Sequence, residues 1–157
     1  MTNRVAYIKE ARAQYNSYDK EWEKSYFDEN TGGFIVTKKI RIAQSHRSKN
    51  EEVKFKKEYR MCEVLANNGN AIEYLKDKKG SYDIHLNGVK ADLKKTGSHN
   101  NIVNYAKEAI REQGAEMVIF EFEKETENIY AEIIVLQRKG IRGKYYFTNR
   151  KDIVYAI

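Results

Sequence analysis

Asp83, Asp92 and Lys94 are the residues of this chain whose types and spacing suit chemistry. They stand in the stretch 81–96, SYDIHLNGVKADLKKT, where two alternating apolar and polar runs meet at Asn87-Gly88. That pair suits a two-residue type I′ turn because both residues tolerate positive φ, so the stretch reads as a β-hairpin. With Asn87 and Gly88 as the loop, Leu86 faces Val89, Ile84 faces Ala91, and Asp83 falls opposite Asp92. Ile84, Leu86, Val89, Ala91 and Leu93 then share a core face, and Asp83, His85, Lys90, Asp92 and Lys94 share the other. Two opposed carboxylates sit with Cβ atoms roughly 4.5–5.5 Å apart and repel. A divalent cation relieves that repulsion, and hard oxygen ligands suit Mg²⁺ or Mn²⁺. Lys94, on the same face, would orient an attacking water and stabilise charge developing on phosphate. That is the layout of metal-assisted phosphodiester hydrolysis. The plainer alternative is a solvated hairpin that carries two aspartates by chance.

A further carboxylate points the same way. Residues 51–68, EEVKFKKEYRMCEVLANN, read as a helix closed by Gly69. Phe55, Tyr59, Cys62, Leu65 and Ala66 form its apolar stripe, and Glu58 falls inside that stripe, whereas Glu63 lies off its centre. An unpartnered buried carboxylate is costly, so Glu58 requires a cation, a hydrogen-bond donor or a metal-bound water beside it. The structural alternative is a snorkelling side chain or a pair with a lysine. Thr96, Ser98 and His99, just past the charged strand, are candidate phosphate contacts, although Ser98 is equally explained as a helix N-cap. His85 is a candidate proton shuttle, and Gln113 a candidate substrate contact from the end of the following helix. Cys62 reads as a small core residue.

The elements that must position these groups follow from pattern. Residues 3–27 read as partly helical, with Val5, Ile8, Ala11 and Tyr15 at helical spacing and Tyr18, Trp22 and Tyr26 continuing at steps of four. Residues 28–33 mark a turn, 34–42 a strand, and 43–50 a polar, basic loop. After the helix at 51–68 come a short strand at 71–75, a turn at 76–80, the hairpin, and a helix at 101–113 stopped by Gly114. A strand at 116–123, a helix at 126–139 closed by Gly140, a strand at 143–148 and a short strand or edge at 152–157 complete the chain. The order argues for an α/β fold, a mixed β-sheet flanked by helices with a right-handed crossover.

Composition sets the outer bounds. The chain has 157 residues, 41% of them hydrophobic, which suffices for one domain with a real core. No run of 18 apolar residues and no apolar leader is visible, so neither a membrane span nor a secretory signal is expected. A single cysteine excludes a cysteine-rich zinc site and an internal disulfide, in keeping with a cytoplasmic setting. The net charge of +6, from 29 Lys and Arg against 23 Asp and Glu, favours a nucleic-acid partner. The 12 tyrosines and 6 phenylalanines offer stacking surface but are mostly needed for the core. No P-loop, dinucleotide-binding glycine pattern, GxSxG elbow or HExxH is present.

From residue 51 onward the order is helix, three strands, helix, strand. In that order, and in Asp83 followed after eight residues by Asp92-Leu93-Lys94, the chain resembles the PD-(D/E)xK nuclease superfamily, whose restriction-endonuclease-like core is αβββαβ. Glu58 stands where several members place an additional acidic ligand. EYRMCEVLANNGNAIEYL leading into SYDIHLNGVKADLKKT, a helix ending in Gln113 and the strand EMVIFEF look most like the tRNA-nuclease domain of contact-dependent inhibition toxins and related phage or mobile-element proteins. The resemblance covers roughly residues 51–122. Tyr82 replaces the proline of the motif, and Asp92 replaces the commoner glutamate with a shorter reach.

The resemblance implies an N-terminal extension, 1–50, before a nuclease-like domain, 51–157. It implies an endonuclease, a toxin-like tRNase, that cleaves tRNA or other RNA first and DNA second. Asp83, Asp92 and Glu58 would bind Mg²⁺, or Mn²⁺ or Zn²⁺ in its place, and Lys94 would position the nucleophile. Nucleic acid and an immunity or antitoxin protein are the implied partners, with the protein itself a monomer or homodimer. The alternatives are a non-catalytic nucleic-acid-binding or assembly module of a phage or mobile element that keeps the nuclease fold, and an interaction domain whose tyrosine-rich N-terminal segment binds a protein.

Overall fold

The structure is a computed structural model that describes residues 2–157. Its backbone divides into two compact units, one running to Asp77 and taking in Ile84–Gly88, the other formed by Lys78–Asp83 and Val89–Ile157. The segment 51–157 contributes elements to both.

The first unit contains α1 (Thr2–Ser17), β1 (Trp22–Phe27), β2 (Phe34–Lys38), α2 (Lys39–Ser45), α3 (Lys49–Asn67), β3 (Ala71–Tyr74) and β4 (Ile84–Leu86). β1 is antiparallel to β2, β2 parallel to β3, and β3 antiparallel to β4, so the sheet is mixed. Tyr15, Phe34 and Val36 form a buried cluster joined by Tyr18, Trp22, Phe27 and Ala71. The α3 stripe supplies buried Cys62, Leu65 and Ala66. Ser48 caps this helix by accepting from the Glu51 N–H at 3.2 Å, which starts it two residues before the expected 51. A Cβ on Gly33 would lie 1.7 Å from the Ala66 carbonyl oxygen, so only glycine lets the chain entering β2 pass that close.

Two expectations fail here. Residues 22–27 form a strand rather than more helix, because a step of four residues is also two periods of a strand; Tyr18, Trp22 and Tyr26 satisfy both. The expected strand to residue 42 ends at Lys38, and α2 takes over. Its buried Arg41, Gln44 and Ser45 recur at helical spacing while Ile40 faces solvent, so tertiary burial of an arginine overrides the β-branched propensity.

The second unit contains β5 (Val89–Thr96), a 3₁₀ turn (His99–Asn101), α4 (Ile102–Lys107), a π-helical turn (Glu108–Glu112), β6 (Met117–Phe122), α5 (Glu127–Arg138), β7 (Gly143–Phe147) and β8 (Arg150–Ala156). β5, β6 and β7 run parallel, linked through α4 and α5, and β8 returns antiparallel. Ile102, Ala106 and Ala109 from the first helical connection and Ile129, Ile133 and Leu136 from α5 pack on Val118, Phe120, Phe122, Tyr145 and Phe147. The fold is thus α/β, mixed sheet flanked by helices, as the pattern argues. Asn87 and Gly88 have φ of +50° and +83°, the pair of positive values a type I′ turn demands. Among the described residues no helix is long and apolar enough to cross a membrane.

Candidate functional site

Register explains where the β5 charges lie. In parallel pairing Asp92 aligns with Val118, Lys94 with Phe120 and Thr96 with Phe122. Aligned residues of neighbouring strands share a face, and this is the face that α4 and the π turn cover. The opposite face of β5 is also buried through Ala91 and Leu93. Asp92 is consequently 1% exposed, a carboxylate inside the unit rather than on a solvated ladder.

A buried carboxylate needs a partner, and Lys94 is the one at hand. Its Nζ lies 3.1 Å from Asp92 Oδ2 and 3.3 Å from Glu108 Oε1, and it donates to Gln113 Oε1 at 3.3 Å. Tyr105 covers it, with the ring centre 5.7 Å away. Burial alone would lower the Lys94 pKa, but the charges of Asp92 and Glu108 outweigh it and raise the value above that of an ordinary lysine. The side chain is therefore an ammonium at neutral pH, a donor and not a base. Asp92 Oδ2 is fully buried and is met by the Lys94 ammonium.

Glu108 and Gln113 converge on one lysine because the backbone leaves α-helical geometry. Residues five apart on an α-helix point about 140° away from each other. Here the Gln113 N–H bonds the Glu108 carbonyl at 3.1 Å, closing a five-residue turn that brings the two side chains to the same side. Sequence pattern singled out Gln113 but missed Glu108, since no local signal marks a π turn.

Asp83 sits just outside β4. Its N–H donates to the Ala91 carbonyl at 3.2 Å and its Oδ2 accepts from the Leu93 N–H at 2.9 Å, so its bonds bracket Asp92. The backbone is thus one residue out of step with the expected opposition of Asp83 and Asp92. The two carboxylates are steadied by a backbone N–H and by Lys94 respectively.

Glu58 and His85 are placed within the first unit. The partner that burial demands for Glu58 is Arg41, 1% exposed, whose Nη2 lies 3.4 Å from Glu58 Oε1; Tyr74 donates to the same oxygen at 2.6 Å. Burial, joined by the Glu58 charge and hydrogen bond, raises the Tyr74 pKa far above its usual range. His85 Nδ1 lies 2.8 Å from Glu73 Oε1, and Glu73 Oε2 accepts from Tyr18 at 2.8 Å. In the second unit, Thr96 Oγ1 and Ser98 shape the loop after β5: the Ser98 N–H donates to Thr96 Oγ1 at 3.1 Å, and Ser98 Oγ caps Asn100 at 3.2 Å. His99 opens the 3₁₀ turn that follows.

The other face of the same strands carries a second ionic group that pattern missed. Buried Glu121 accepts from Tyr146 at 2.6 Å and from Thr148 at 2.8 Å, and Lys95 lies 3.1 Å away. Burial would raise its pKa, but these donors hold the carboxyl below the usual value. All its neighbours serve its charge, which marks it as a closed structural cluster.

Among the described residues no three His, Cys, Asp or Glu side chains gather as a metal-binding group. The site is a carboxylate–ammonium–carboxylate array flanked by the Gln113 amide. No family model matches the chain, and no curated protein does. Among solved structures it is similar in fold to a chain of a CdiA-CT/CdiI toxin and immunity complex from Burkholderia pseudomallei. The TM-score is 0.55 at 16% identity, over 71% of this chain and 89% of that one.

Proposed function

We propose that the second unit hydrolyses phosphodiester bonds of nucleic acid with a divalent metal ion, tRNA or other RNA being the first substrate class and DNA the second. The observation that carries this reading is Asp92: a carboxylate 1% exposed, whose buried Oδ2 lies against a charged lysine on the same strand face. A hard-oxygen donor of this kind fits Mg²⁺ or Mn²⁺, which is commonly held by one or two carboxylates with water and substrate phosphate completing the shell, so a third side chain is not required. Asp92 and Asp83 would hold the ion; Zn²⁺ fits an all-oxygen pair less well. When bound, it would supply Lewis-acid polarisation of the phosphate and lower the pKa of bound water.

The chain's own residues do the rest. Water adds to phosphorus and gives up a proton to solvent, the bond to one ester oxygen breaks with that oxygen taking up a proton from solvent, and negative charge grows on the phosphoryl oxygens on the way. Lys94, held protonated by Asp92 and Glu108, donates to that charge by exchanging one of its 3.3 Å contacts, to Glu108 or Gln113, for a phosphoryl oxygen. Glu108 and Gln113 orient its ammonium, so they act through it as positioning residues. His99, in the turn after β5, would be a contact for a flanking phosphate, as ligands of parallel sheets lie beyond the carboxyl ends of strands, while buried Thr96 shapes that turn through Ser98. Glu58 acts within the first unit as the counter-ion of Arg41. The likeness of fold to a chain of a toxin and immunity complex supports an immunity or antitoxin protein as a partner.

A second reading has its own observation. Lys94 already lies beside Asp92, so the buried carboxylate has a counter-ion without a metal. That favours a non-catalytic module which keeps the fold and binds nucleic acid. Incubation with total tRNA, single-stranded RNA and duplex DNA, each with Mg²⁺, Mn²⁺, Zn²⁺ or EDTA, separates the two. Metal-dependent cleavage lost in Asp92→Ala supports hydrolysis; salt-sensitive binding unchanged by EDTA, without cleavage, supports the module.

A further inference from the structure

The second unit holds a cavity of about 400 Å³ lined by Lys107, Ile110, Arg111, Glu116, Lys139, Ile141 and Arg142. Four cations thus face one carboxylate. None of the four has an ion-pair or hydrogen-bond partner for its side-chain charge among the described residues. Lys94 and Lys95, packed on the sheet of this unit, are by contrast each paired with a carboxylate.

Helix ends explain part of this charge. Arg111 lies in the π turn and Lys139 caps α5, where cations offset the negative end of the helix dipole. Each helix end is equivalent to only about half a negative charge, so two ends and Glu116 leave a clear positive surplus in one recess. Ile110 and Ile141 give the recess apolar walls, which lower the local dielectric and strengthen its attraction for anions.

Position gives this surplus a use. The helical turn that sends Glu108 and Gln113 to Lys94 also sends Lys107 and Arg111 to the cavity. Glu116 stands two residues before Val118, which is level with Asp92, and so about 7 Å along the strand direction at about 3.3 Å per residue. We infer that the cavity is a backbone-phosphate subsite for a nucleic-acid strand, gripping it beside the site at Asp92 and Lys94. Its role in cleavage rests on the function proposed above; its binding of phosphodiester does not.

The test is salt-dependent binding, measured in EDTA by fluorescence anisotropy with labelled single-stranded RNA and duplex DNA. The proteins are the full chain, Arg111→Gln/Arg142→Gln, and the charge-matched control Lys9→Gln/Lys57→Gln at exposed positions in the first unit. Each lost phosphate contact reduces the slope of log K against log salt by about 0.7 on a single strand or about 0.9 on a duplex. The cavity pair is expected to flatten the slope by about 1.4 on RNA or about 1.8 on duplex, the control pair by much less. Equal slopes for the two pairs, or no binding of either probe by the unsubstituted chain, overturn the inference. Cleavage with Mg²⁺ is read separately. If the slope flattens and no metal supports cleavage, the subsite stands and hydrolysis fails. If Mg²⁺-dependent cleavage occurs with slopes equal, the subsite fails and hydrolysis stands.

Discussion

Asp92→Asn distinguishes two accounts of the same carboxylate. If Asp92 merely repelled a neighbouring aspartate until a metal arrived, neutralising it would stabilise the metal-free protein or leave it unchanged. The structure requires the opposite, because Asp92 is the closest counter-ion of a lysine whose side chain is only 15% exposed. Breaking a buried ion pair from one side costs about 3–5 kcal/mol, since the other charge stays behind without compensation. Glu108 remains 3.3 Å from Lys94 and is 42% exposed, so part of the compensation survives and is weakened by solvent. The expected loss is therefore at or below the bottom of that range, about 2–3 kcal/mol. At about 2–4 °C per kcal/mol for a domain of this size, the melting temperature in EDTA at pH 7 should fall by about 5–10 °C. Thermal circular dichroism reads this directly. Lys94→Met should cost more, about 3–5 kcal/mol, because it strands the more deeply buried partner, and the double substitution should recover part of either loss. An unchanged or higher melting temperature for Asp92→Asn without metal would refute the reasoning.

Asp83→Ala removes the acceptor of the Leu93 N–H and should cost about 1–3 kcal/mol without metal, measured by urea denaturation, whereas Asp83→Asn keeps an acceptor and should cost less. Glu58→Gln should lower stability by leaving Arg41 buried and uncompensated, while metal-dependent cleavage in folded protein persists; lost cleavage at unchanged stability would return Glu58 to the reacting centre. Alkaline stability should depend on Tyr74. Its folded pKa is raised above the ordinary 10, so its contribution is complete below about pH 10 and is lost as the unfolded chain ionises above it. Melting temperatures from pH 8 to 11 should therefore fall more steeply for the unsubstituted chain than for Tyr74→Phe.

What could be read from sequence was what local chemistry decides. The turn at Asn87-Gly88 is legible because two positive φ values select those residue types, helix 51–68 because cap and periodicity agree within a few residues, and the start of helix 101–113 because its apolar spacing holds to Lys107, where the π turn takes over. The demand of Glu58 for a partner is legible from its stripe, but the partner is not: Arg41 lies in a segment whose β-branched residues imitate a strand. Alternation also misstates the surroundings of Asp92. It puts the residue on a polar face, which would be solvated in a free hairpin, yet a parallel neighbour and a covering helix bury both faces of β5. Glu108 was invisible because residues five apart converge only in a π turn, and nothing in NYAKEAIREQ announces one.

The central claim is that Asp92 and Lys94 serve phosphodiester hydrolysis, and cleavage of total tRNA with Mg²⁺ or EDTA, beside Asp92→Ala, tests it most directly. Fragments that require the metal and vanish in the mutant are the predicted result. Intact tRNA, single-stranded RNA and DNA with every metal tried, by a protein that folds and binds them, would contradict it.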